Sequence, residues 1–346
     1  MNFAKLLVNW YLENRRSLPW RETTDPYCIW LSEIILQQTR VEQGMPYYLS
    51  FVKTFPDVFA LAAASEEEVL KLWQGLGYYS RARNLHASAK YVAEELNGIF
   101  PRSYKELLAL KGVGDYTASA IASICYAEPV AVVDGNVYRV LARIFGIATP
   151  INSTEGVRQF KQLAQDLIDK KDPATFNQGI MEFGATHCKP QNPLCESCPF
   201  ADQCVAFNQN KITVLPVKLK KQKVRNRYFN YLVFISDEGE TILEQRKGKG
   251  IWEGLYEFPL VETSREVAEE SLVEEAGFQE YTPVKKGALH LYNESSIIHK
   301  LSHQHIHTRF WIVNCEQLPQ QGIPLDTMKA YPVPRLIDKF IEAYDF

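Results

Sequence analysis

Four cysteines in the pattern C-x6-C-x2-C-x5-C, namely Cys188, Cys195, Cys198 and Cys204, constrain this chain more than any other feature. Four thiolates a few residues apart in one loop can surround a metal centre and suit a 4Fe-4S cluster or zinc. Structural zinc sites more often use two C-x2-C pairs separated by a longer insert, whereas this run contains one such pair. The spacing therefore favours a 4Fe-4S cluster. Two disulfides of a secreted protein are the remaining alternative.

Length and composition bound the class of protein. The chain has 346 residues, of which 46% are hydrophobic, which is enough for two ordinary domains. No apolar run approaches the roughly 20 residues needed to cross a bilayer, and the first ten residues lack a basic-then-apolar leader. We therefore expect a soluble, cytoplasmic monomer with no membrane partner, which disfavours the disulfide alternative.

Charge is distributed unevenly along the chain. Residues 1–227 carry 27 Lys and Arg against 22 Asp and Glu, a net charge of +5, whereas residues 228–346 carry 11 against 19, a net charge of −8. One stretch is basic and contains no acid: Lys211, Lys218, Lys220, Lys221, Lys223, Arg225 and Arg227. A polyanion would prefer the first part. A basic linker that is merely solvated fits the same pattern.

The hydrophobic pattern changes after that basic stretch. Before it, apolar residues recur at helical spacing in residues 30–35, 69–73 and 118–126. After it, residues 228–236 and 309–314 are rich in β-formers. The sequence predicts three regions: an all-α domain over 1–210 that includes the cysteine loop, a basic linker over 211–227, and an α+β domain over 228–346.

A glycine-rich turn joins two of the predicted helices. Leu110-Lys111-Gly112-Val113-Gly114 is followed by the apolar run that starts at Tyr116. Gly112 and Gly114 let backbone amides approach a phosphate at a helix N-terminus, whose dipole favours an anion. The pattern is that of a helix-hairpin-helix, which grips DNA phosphates without reading sequence. A plain interhelical turn is the alternative, and the order of hairpin, Asp134 and cysteine run favours the hairpin.

That order resembles the helix-hairpin-helix DNA glycosylases of the endonuclease III superfamily, and most closely those of the MutY type, over nearly the whole chain. The segments that carry the resemblance are 18–21 (LPWR), 30–39 (WLSEIILQQT), 75–81 (GLGYYSR) and 133–136 (VDGN). The resemblance implies a base-excision repair enzyme with a 4Fe-4S cluster. It further implies removal of adenine paired with 8-oxoguanine, or with guanine, from double-stranded DNA.

Tyr116 decides between two chemistries. In relatives that also cut the strand, a lysine two residues after the second hairpin glycine forms a Schiff base with the sugar. Tyr116 occupies that position here, and a phenol cannot form an imine. Lys111 lies on the other side of the turn. The resemblance and the chemistry therefore both imply a monofunctional glycosylase, which leaves an abasic site.

Two carboxyl groups in different protonation states are needed to cleave an N-glycosidic bond. Glu33 lies on an apolar helix, where burial should raise its pKa and keep it protonated. Asp134 is expected to stay ionised. By resemblance, Glu33 protonates N7 of adenine, Asp134 stabilises or attacks the sugar cation, and Tyr116 and Asn136 orient sugar and water. A helix acid paired with an arginine and a simple turn aspartate are the structural alternatives.

Adenine must leave the duplex before the bond can be reached. By resemblance, Gln38 and Tyr78 occupy the vacated stack, and Trp20, Arg21 and Gln178 line the adenine pocket. A core role for Trp20 and a surface role for Gln178 are the alternatives. Glu182 receives no catalytic role.

The C-terminal region resembles the Nudix-like domain with which this family reads 8-oxoguanine. Glu262 of the hydrolytic box is present, but Tyr256, Glu270 and Ser271 replace its first glycine, its arginine and its next glutamate. The sequence therefore predicts recognition and not pyrophosphate hydrolysis.

The Phe-Ser-His recognition loop of the family reads Leu301-Ser302-His303 in this chain, with leucine in place of the aromatic residue. Ser302 and His303 keep the groups that could bind the oxidised guanine. Histidines also recur with period two at His299, His303, His305 and His307. A metal-binding face is one interpretation of these histidines, and a strand with solvated histidines is the one we favour.

Two other functions remain open from sequence alone. A pyrimidine-lesion glycosylase with lyase activity would need a lysine where Tyr116 stands. A lesion-binding protein without catalysis would keep the hairpin and the cluster but lose the two carboxyl groups, which this chain retains.

Overall fold

The computed structural model describes residues 3–219, 224–281 and 289–346. The chain forms two compact units, one of Met1–Ala63 with Asn84–Lys220 and one of Ala64–Arg83 with Lys221–Phe346. Three of the linker's lysines, Lys220, Lys221 and Lys223, lie outside the described residues. The predicted domain boundaries stay a prediction.

In the described residues, helices follow one another through the first two-thirds of the chain, as predicted, and three more lie in the last third. In chain order they are α1 (Phe3–Asn14), α2 (Pro26–Leu36), α3 (Val41–Thr54), α4 (Val58–Ala63), α5 (Glu66–Leu72), α6 (Ser80–Glu94), α7 (Tyr104–Leu107), α8 (Asp115–Tyr126), α9 (Gly135–Phe145), α10 (Thr154–Leu167), α11 (Pro173–Glu182), α12 (Val205–Asn208), α13 (Glu269–Leu272), α14 (Ala276–Gln279) and α15 (Arg335–Ala343). A 3-10 turn at Pro19–Arg21 precedes α2, and a π-helical turn at Phe183–His187 follows α11. Within the described ranges, no helix is long and apolar enough to span a bilayer.

The core of the first unit lies between α1, α9, α10 and α11. Phe3 stacks on Phe200 of the cysteine loop with ring centroids 4.9 Å apart, and it also packs against Phe176 of α11. Apolar side chains of α9, among them Val137 and Leu141, are fully buried in the same core. Because α9 begins at Gly135, this packing fixes the position of Asp134 at its N-terminus.

A mixed sheet forms the second unit. The strands are β1 (Arg225–Ser236), β2 (Glu240–Thr241), β3 (Glu244–Gln245), β4 (Tyr256–Glu257), β5 (Leu260–Thr263), β6 (Leu289–Leu291), β7 (Ile297–Lys300), β8 (Gln304–Cys315) and β9 (Ile323–Pro324). The main sheet has the order β5-β1-β8-β6, β7 pairs with β8, and the two long strands β1 and β8 are parallel. The predicted α+β class is confirmed for this region.

Residues 64–83 pack with the C-terminal unit although they lie in the helical part of the sequence. Lys71 donates to the carbonyl oxygen of Tyr331 at 3.1 Å, and Gln74 donates to Asp338 at 2.8 Å. Arg83 pairs with the carboxylate of Glu253 at 2.9 Å. The second unit therefore includes Tyr78, one of the predicted DNA-binding residues.

Strand β1 starts at Arg225, and its residues pair with β8 from Gln304 onward. One expectation on the C-terminal sequence needs correction. The four histidines do not share one strand: His299 lies on β7, His303 in the turn, and His305 and His307 on β8. Because the four histidines are spread over two strands and the turn between them, their spacing of two does not place them on one face of the sheet.

Candidate active site

One cavity of about 170 Å³ in the first unit brings together distant parts of the sequence. All the predicted catalytic and adenine-pocket residues line it: Glu33, Tyr116, Asp134, Asn136, Trp20, Arg21 and Gln178. They come from α2, α8, α9, α11 and the 3-10 turn at Pro19–Arg21. A single concave site with convergent titratable groups is the usual form of an enzyme active site.

Glu33 is the buried acid of this cavity. It lies in the last turn of α2 among apolar side chains and is 8% exposed. Burial raises the pKa of Glu33 to about 7, and the negative charge of Asp134 adds to the shift. The hydrogen bond to Tyr116 and the charge of Arg21 oppose it. Near neutral pH, a large fraction of Glu33 therefore carries the proton that an acid catalyst must donate.

Asp134 caps α9 and accepts three hydrogen bonds. The amides of Asn136 and Val137 both donate to Oδ1 at 2.8 Å, and the Asn136 side chain donates to Oδ2 at 2.8 Å. Burial raises the pKa of Asp134, and these donors oppose the shift because they stabilise the anion. The carboxylate also sits at the positive end of the helix dipole. The two acids thus differ in environment: few donors surround Glu33, and three surround Asp134.

A chain of hydrogen bonds leads from Asp134 to the cysteine loop. Asn136 accepts from Arg139 at 2.9 Å, and Arg139 donates to the carbonyl oxygens of Cys188 at 2.8 Å and Gly184 at 2.6 Å. A Cβ at Gly184 would lie 2.6 Å from the Cβ of Asn136, so only glycine permits this approach. Packing and hydrogen bonds together hold Asn136 in one orientation.

The base pocket is bordered by an ion-paired network. Glu182 accepts from Arg16 at 2.7 Å and from Arg21 at 2.8 Å. Burial alone would raise the pKa of Glu182, but these hydrogen bonds outweigh it and hold the pKa at about 2. Arg21 is thereby fixed at the cavity wall. Gln178 is fixed as well, because its Oε1 accepts from the hydroxyl of Tyr11 at 2.6 Å.

The glycine-rich turn is exposed at the surface. Gly112 has φ +79, and a Cβ there would also approach Asn84 to 2.9 Å. Gly114 is the N-cap of α8, and a Cβ there would meet no atom within 4 Å, so the space before this helix is open. Gln37 donates to the carbonyl oxygen of Gly112 at 3.3 Å and to Thr117 at 3.2 Å. The end of α2 therefore holds the hairpin in place.

The four cysteines line one apolar cavity beside α9. No group of three or more His, Cys, Asp or Glu among the described residues is arranged to hold a single metal ion. Four cysteine thiols around one apolar cavity are the donor set that holds an iron-sulfur cluster. Arg143 donates to the carbonyl oxygens of Lys189 and Pro190 at 2.7 and 3.1 Å, and its guanidinium lies 3.6 Å from the Cys188 Sγ. This cation favours thiolate ligands.

A second cavity, of about 320 Å³, lies wholly within the second unit. Its wall includes Tyr78, Arg83, Trp252 and the turn Leu301-Ser302-His303 between β7 and β8. The turn is closed by a hydrogen bond from the amide of Leu301 to the carbonyl oxygen of Gln304 at 2.8 Å. A predicted intercalating residue and the predicted recognition loop, more than 200 positions apart in sequence, therefore share one cavity.

Tyr78 and Gln38 both adopt the left-handed conformation that side chains rarely favour, with φ 50 and φ 55. Tyr78 is 51% exposed. The guanidinium of Arg81 lies 5.7 Å from its ring centroid and donates to the carbonyl oxygen of Gly77 at 3.1 Å. Gln38 is exposed just beyond the end of α2. Strained, exposed residues of this kind are found where a side chain must project toward a ligand.

Three family models match the chain in succession. The HhH-GPD superfamily of base excision DNA repair proteins matches residues 31–170, the iron-sulfur binding domain of endonuclease III matches 188–204, and the NUDIX domain matches 230–343. Adenine DNA glycosylase of Buchnera aphidicola from Schizaphis graminum is 30% identical over 99% of this chain and 98% of its own length. The chain belongs to the adenine DNA glycosylase family. The mouse enzyme of that name is 34% identical over 93% of this chain and 72% of its own length.

Solved structures support the fold of the helical region. A thermostable thymine-DNA glycosylase is 30% identical, covers 60% of this chain and 95% of its own, and superposes with a TM-score of 0.56. An endonuclease III–DNA complex, at 22% identity and a TM-score of 0.52, shows the fold alone.

Family membership confirms the predicted enzyme class, an adenine DNA glycosylase of base-excision repair that binds DNA, and the predicted two-part fold. It also confirms the 4Fe-4S cluster, because the cysteine loop coincides with the iron-sulfur match. Cys188, Cys195, Cys198 and Cys204 are the residues that would hold this cluster. The side chains of Arg139 and Arg143 contact Cys188 in the loop that would hold this cluster.

The structure places the Nudix residues in supporting roles. Glu262, one of the glutamates of the hydrolytic box that the chain retains, accepts two hydrogen bonds from Arg227 at 2.7 and 2.6 Å and is therefore already paired. Glu270 lies on the short α13, and Glu275 precedes α14 without a side-chain capping bond.

Several residues of the site had no clear signal in the sequence. Three residues contact the site through hydrogen bonds or close packing: Arg139, Gly184 and Tyr11. Arg16 pairs with Glu182, as Arg21 does. Arg139 and Arg143 follow Asn136 at positions 3 and 7 on one helix, a spacing that would have shown a shared face. Nothing local in the sequence shows what that face contacts.

Proposed function

We propose that this adenine DNA glycosylase excises adenine paired with 8-oxoguanine or guanine, that it leaves the DNA strand intact, and that Glu33 and Asp134 carry the reaction. The observation that carries this proposal is the single cavity in which both acids lie in contrasting environments. The base would be extruded into that cavity, which has Trp20, Arg21 and Gln178 in its wall.

Glu33 acts as the general acid. Cleavage of the bond between N9 and the deoxyribose leaves electrons on the purine, and a proton on N7 makes adenine a better leaving group. The pKa of Glu33, about 7, suits this transfer because it combines a large protonated fraction with a sufficient driving force. The hydroxyl of Tyr116 lies beside Glu33, where it opposes the rise in the pKa of Glu33, and it donates to Sδ of Met181 at 3.0 Å.

Asp134 acts as the anion beside the sugar. Departure of the protonated base leaves positive charge on the sugar ring, and a fixed carboxylate stabilises that charge or bonds to the sugar carbon before water replaces it. The donors on Asp134 stabilise its anion and oppose the burial that raises its pKa. Two carboxylates in one cavity also repel each other, so ionisation of Asp134 favours a protonated Glu33.

The cavity favours hydrolysis without strand cleavage. Among the described residues that line it, the only basic side chains are Arg16 and Arg21, and no lysine is present. A guanidinium stays protonated and is not a nucleophile. A pyrimidine-lesion lyase would need an amine here, and the two acids distinguish the chain from a noncatalytic lesion binder.

The cavity of the second unit is the proposed site for the base opposite adenine. Its volume of about 320 Å³ admits a purine, and Ser302 and His303 offer hydrogen-bonding groups at its rim. Tyr78 is exposed in the same wall, where it can enter the stack next to the lesion. Gly112 and Gly114 are proposed to bind phosphate, and Gln38 to fill the space that adenine leaves.

Each of the two cavities is formed by a single chain, and we propose a monomer. We also propose the cytoplasm, where thiols stay reduced until they bind the cluster.

Single-turnover excision on matched duplexes tests this function. We expect release of adenine opposite 8-oxoguanine and, more slowly, opposite guanine, with no release of thymine or cytosine. The product strand should break only after alkali, and borohydride should trap no covalent complex. Strand scission without alkali, or equal activity on pyrimidine lesions, would refute the proposal.

A further inference from the structure

His187 contains a buried polar atom without a partner. The residue is 7% exposed, and its Nε2 has no hydrogen-bond partner among the described residues. Buried polar atoms in folded proteins are almost always paired. The missing partner of Nε2 is therefore expected to be a group that is not part of the polypeptide.

The imidazole ring is held rigidly by two aromatic neighbours. It stacks on Phe183 with ring centroids 5.0 Å apart and an interplanar angle of 19°. The edge contact with Trp10 has a centroid distance of 5.6 Å. These contacts cover the faces of the ring, and the backbone of Leu194 also forms a hydrogen bond with the imidazole. Nε2 is the nitrogen for which the described residues offer no partner.

The ring lines the cavity of the four cysteines. Apart from His187 and the cysteines, the lining consists of Ala, Ile, Leu, Phe and Pro side chains. A water molecule needs two to four polar partners, which such walls do not offer. Apart from the backbone of Leu194, which already bonds to the imidazole, sulfur atoms are the acceptors that this cavity offers to Nε2.

We propose that His187 donates a hydrogen bond from Nε2–H to a sulfur atom of the 4Fe-4S cluster or of its cysteine ligands, and so raises the reduction potential of the cluster. A donor beside sulfur stabilises the extra negative charge of the reduced state more than it stabilises the oxidised state. The inference concerns the cofactor and does not depend on which base the enzyme excises. His187 is a positioning and tuning residue, because it acts through the cluster.

Two substitutions distinguish the contribution of the N–H donor from that of the aromatic ring. His187→Phe keeps an aromatic ring between Phe183 and Trp10 but has no donor, whereas His187→Gln keeps an amide donor and loses the ring. His290→Phe, at an exposed position on β6, is the matched control. The measurement is the reduction potential of each holoprotein by protein-film voltammetry, with iron content determined for every sample.

We expect the potential of His187→Phe to be more negative than that of the parent and the control, and the potential of His187→Gln to lie nearer the parent. Equal potentials for the parent and a fully loaded His187→Phe would overturn the proposal. Pulsed EPR of the parent holoprotein with ¹⁵N-labelled histidine, with the cluster reduced by one electron to its paramagnetic state, provides a second test that needs no variant. A ¹⁵N coupling to the cluster supports the hydrogen bond, and the absence of any coupling overturns it.

Discussion

The guanidinium of Arg139 bridges the side chain of Asn136, at 2.9 Å, and the carbonyl oxygen of Cys188, at 2.8 Å. Asn136 in turn donates to Asp134 at 2.8 Å. The first cysteine of the cluster loop and the proposed catalytic anion are thus joined by two side chains of α9, those of Asn136 and Arg139. The cluster loop can therefore influence catalysis through position alone, without an electron-transfer step.

Replacement of Arg139 should disturb both ends of this bridge. In Arg139→Gln, the loop loses its contact at Cys188, and Asn136 is free to rotate away from Asp134. Loss of a supporting contact of this type commonly costs about 10–100-fold in metal affinity or activity. We expect lower iron content and a slower single-turnover rate even in the fully loaded fraction. Arg158→Gln, an exposed position on α10, is the control and should change neither quantity.

The activity should fall as Glu33 loses its proton. Because the pKa of Glu33 is about 7, the protonated fraction and the excision rate should drop about tenfold per pH unit well above pH 7. The measurement is the single-turnover rate between pH 6 and 9 with saturating enzyme. A rate that stays level throughout that range would exclude Glu33 as the acid.

The same raised pKa has a consequence for stability. Folding disfavours the ionised form of Glu33. The free energy of unfolding therefore decreases as the pH rises above 4.5, the pKa of Glu33 in the unfolded chain, and the full decrease is reached above about pH 7. Its size is about 3 kcal/mol from the shift in pKa. Glu33→Gln should therefore be more stable than the parent at pH 8, and by less at pH 5, in denaturant unfolding. An equal difference at both pH values would contradict the assigned shift.

An amine at position 116 should create lyase chemistry. Tyr116 lines the same cavity as Asp134, so the amine of Tyr116→Lys would be placed near the sugar. We expect borohydride to trap a covalent complex of this variant with DNA, while the parent and Tyr116→Phe give none. Absence of trapping in a variant that still binds the duplex would show that position 116 does not face the sugar.

Ser302 should distinguish 8-oxoguanine from guanine as the base opposite adenine. A hydroxyl that bonds 8-oxoguanine contributes about 0.5–1.5 kcal/mol. Ser302→Ala should therefore reduce the preference for adenine opposite 8-oxoguanine over adenine opposite guanine about 2–10-fold, with the guanine rate unchanged. Ser296→Ala, outside the residues lining this cavity, is the control. An equal loss on both duplexes would assign Ser302 to folding and not to recognition.

Much of the active site follows from the sequence because local patterns determine it. The apolar run around Glu33 predicts a buried helix and hence a raised pKa, and both are present. Asp134 precedes a glycine and an amphipathic run, as a helix cap does. In these cases the relevant neighbours are close in sequence.

Long-range pairing explains what the sequence did not predict. The segment at residues 64–83 has an ordinary helical pattern, and only contacts with Glu253, Tyr331 and Asp338 place it in the second unit. From the sequence, Glu182 is a candidate acid, but in the structure it is ion-paired with Arg16 and Arg21. Contrary to expectation, the histidine repeat does not lie on one strand, because a turn interrupts it. Such pairings depend on tertiary structure, which local spacing does not encode.

The most direct test of the central claim is the single-turnover rate of adenine release from an 8-oxoguanine duplex by Glu33→Gln and by Asp134→Asn, with DNA affinity and iron content measured alongside. Both variants should bind the duplex and retain iron. Removal of the acid or of the anion should lower the rate by at least about 100-fold in each case. A rate within a few-fold of the parent in either variant would contradict the assignment of these two carboxyl groups.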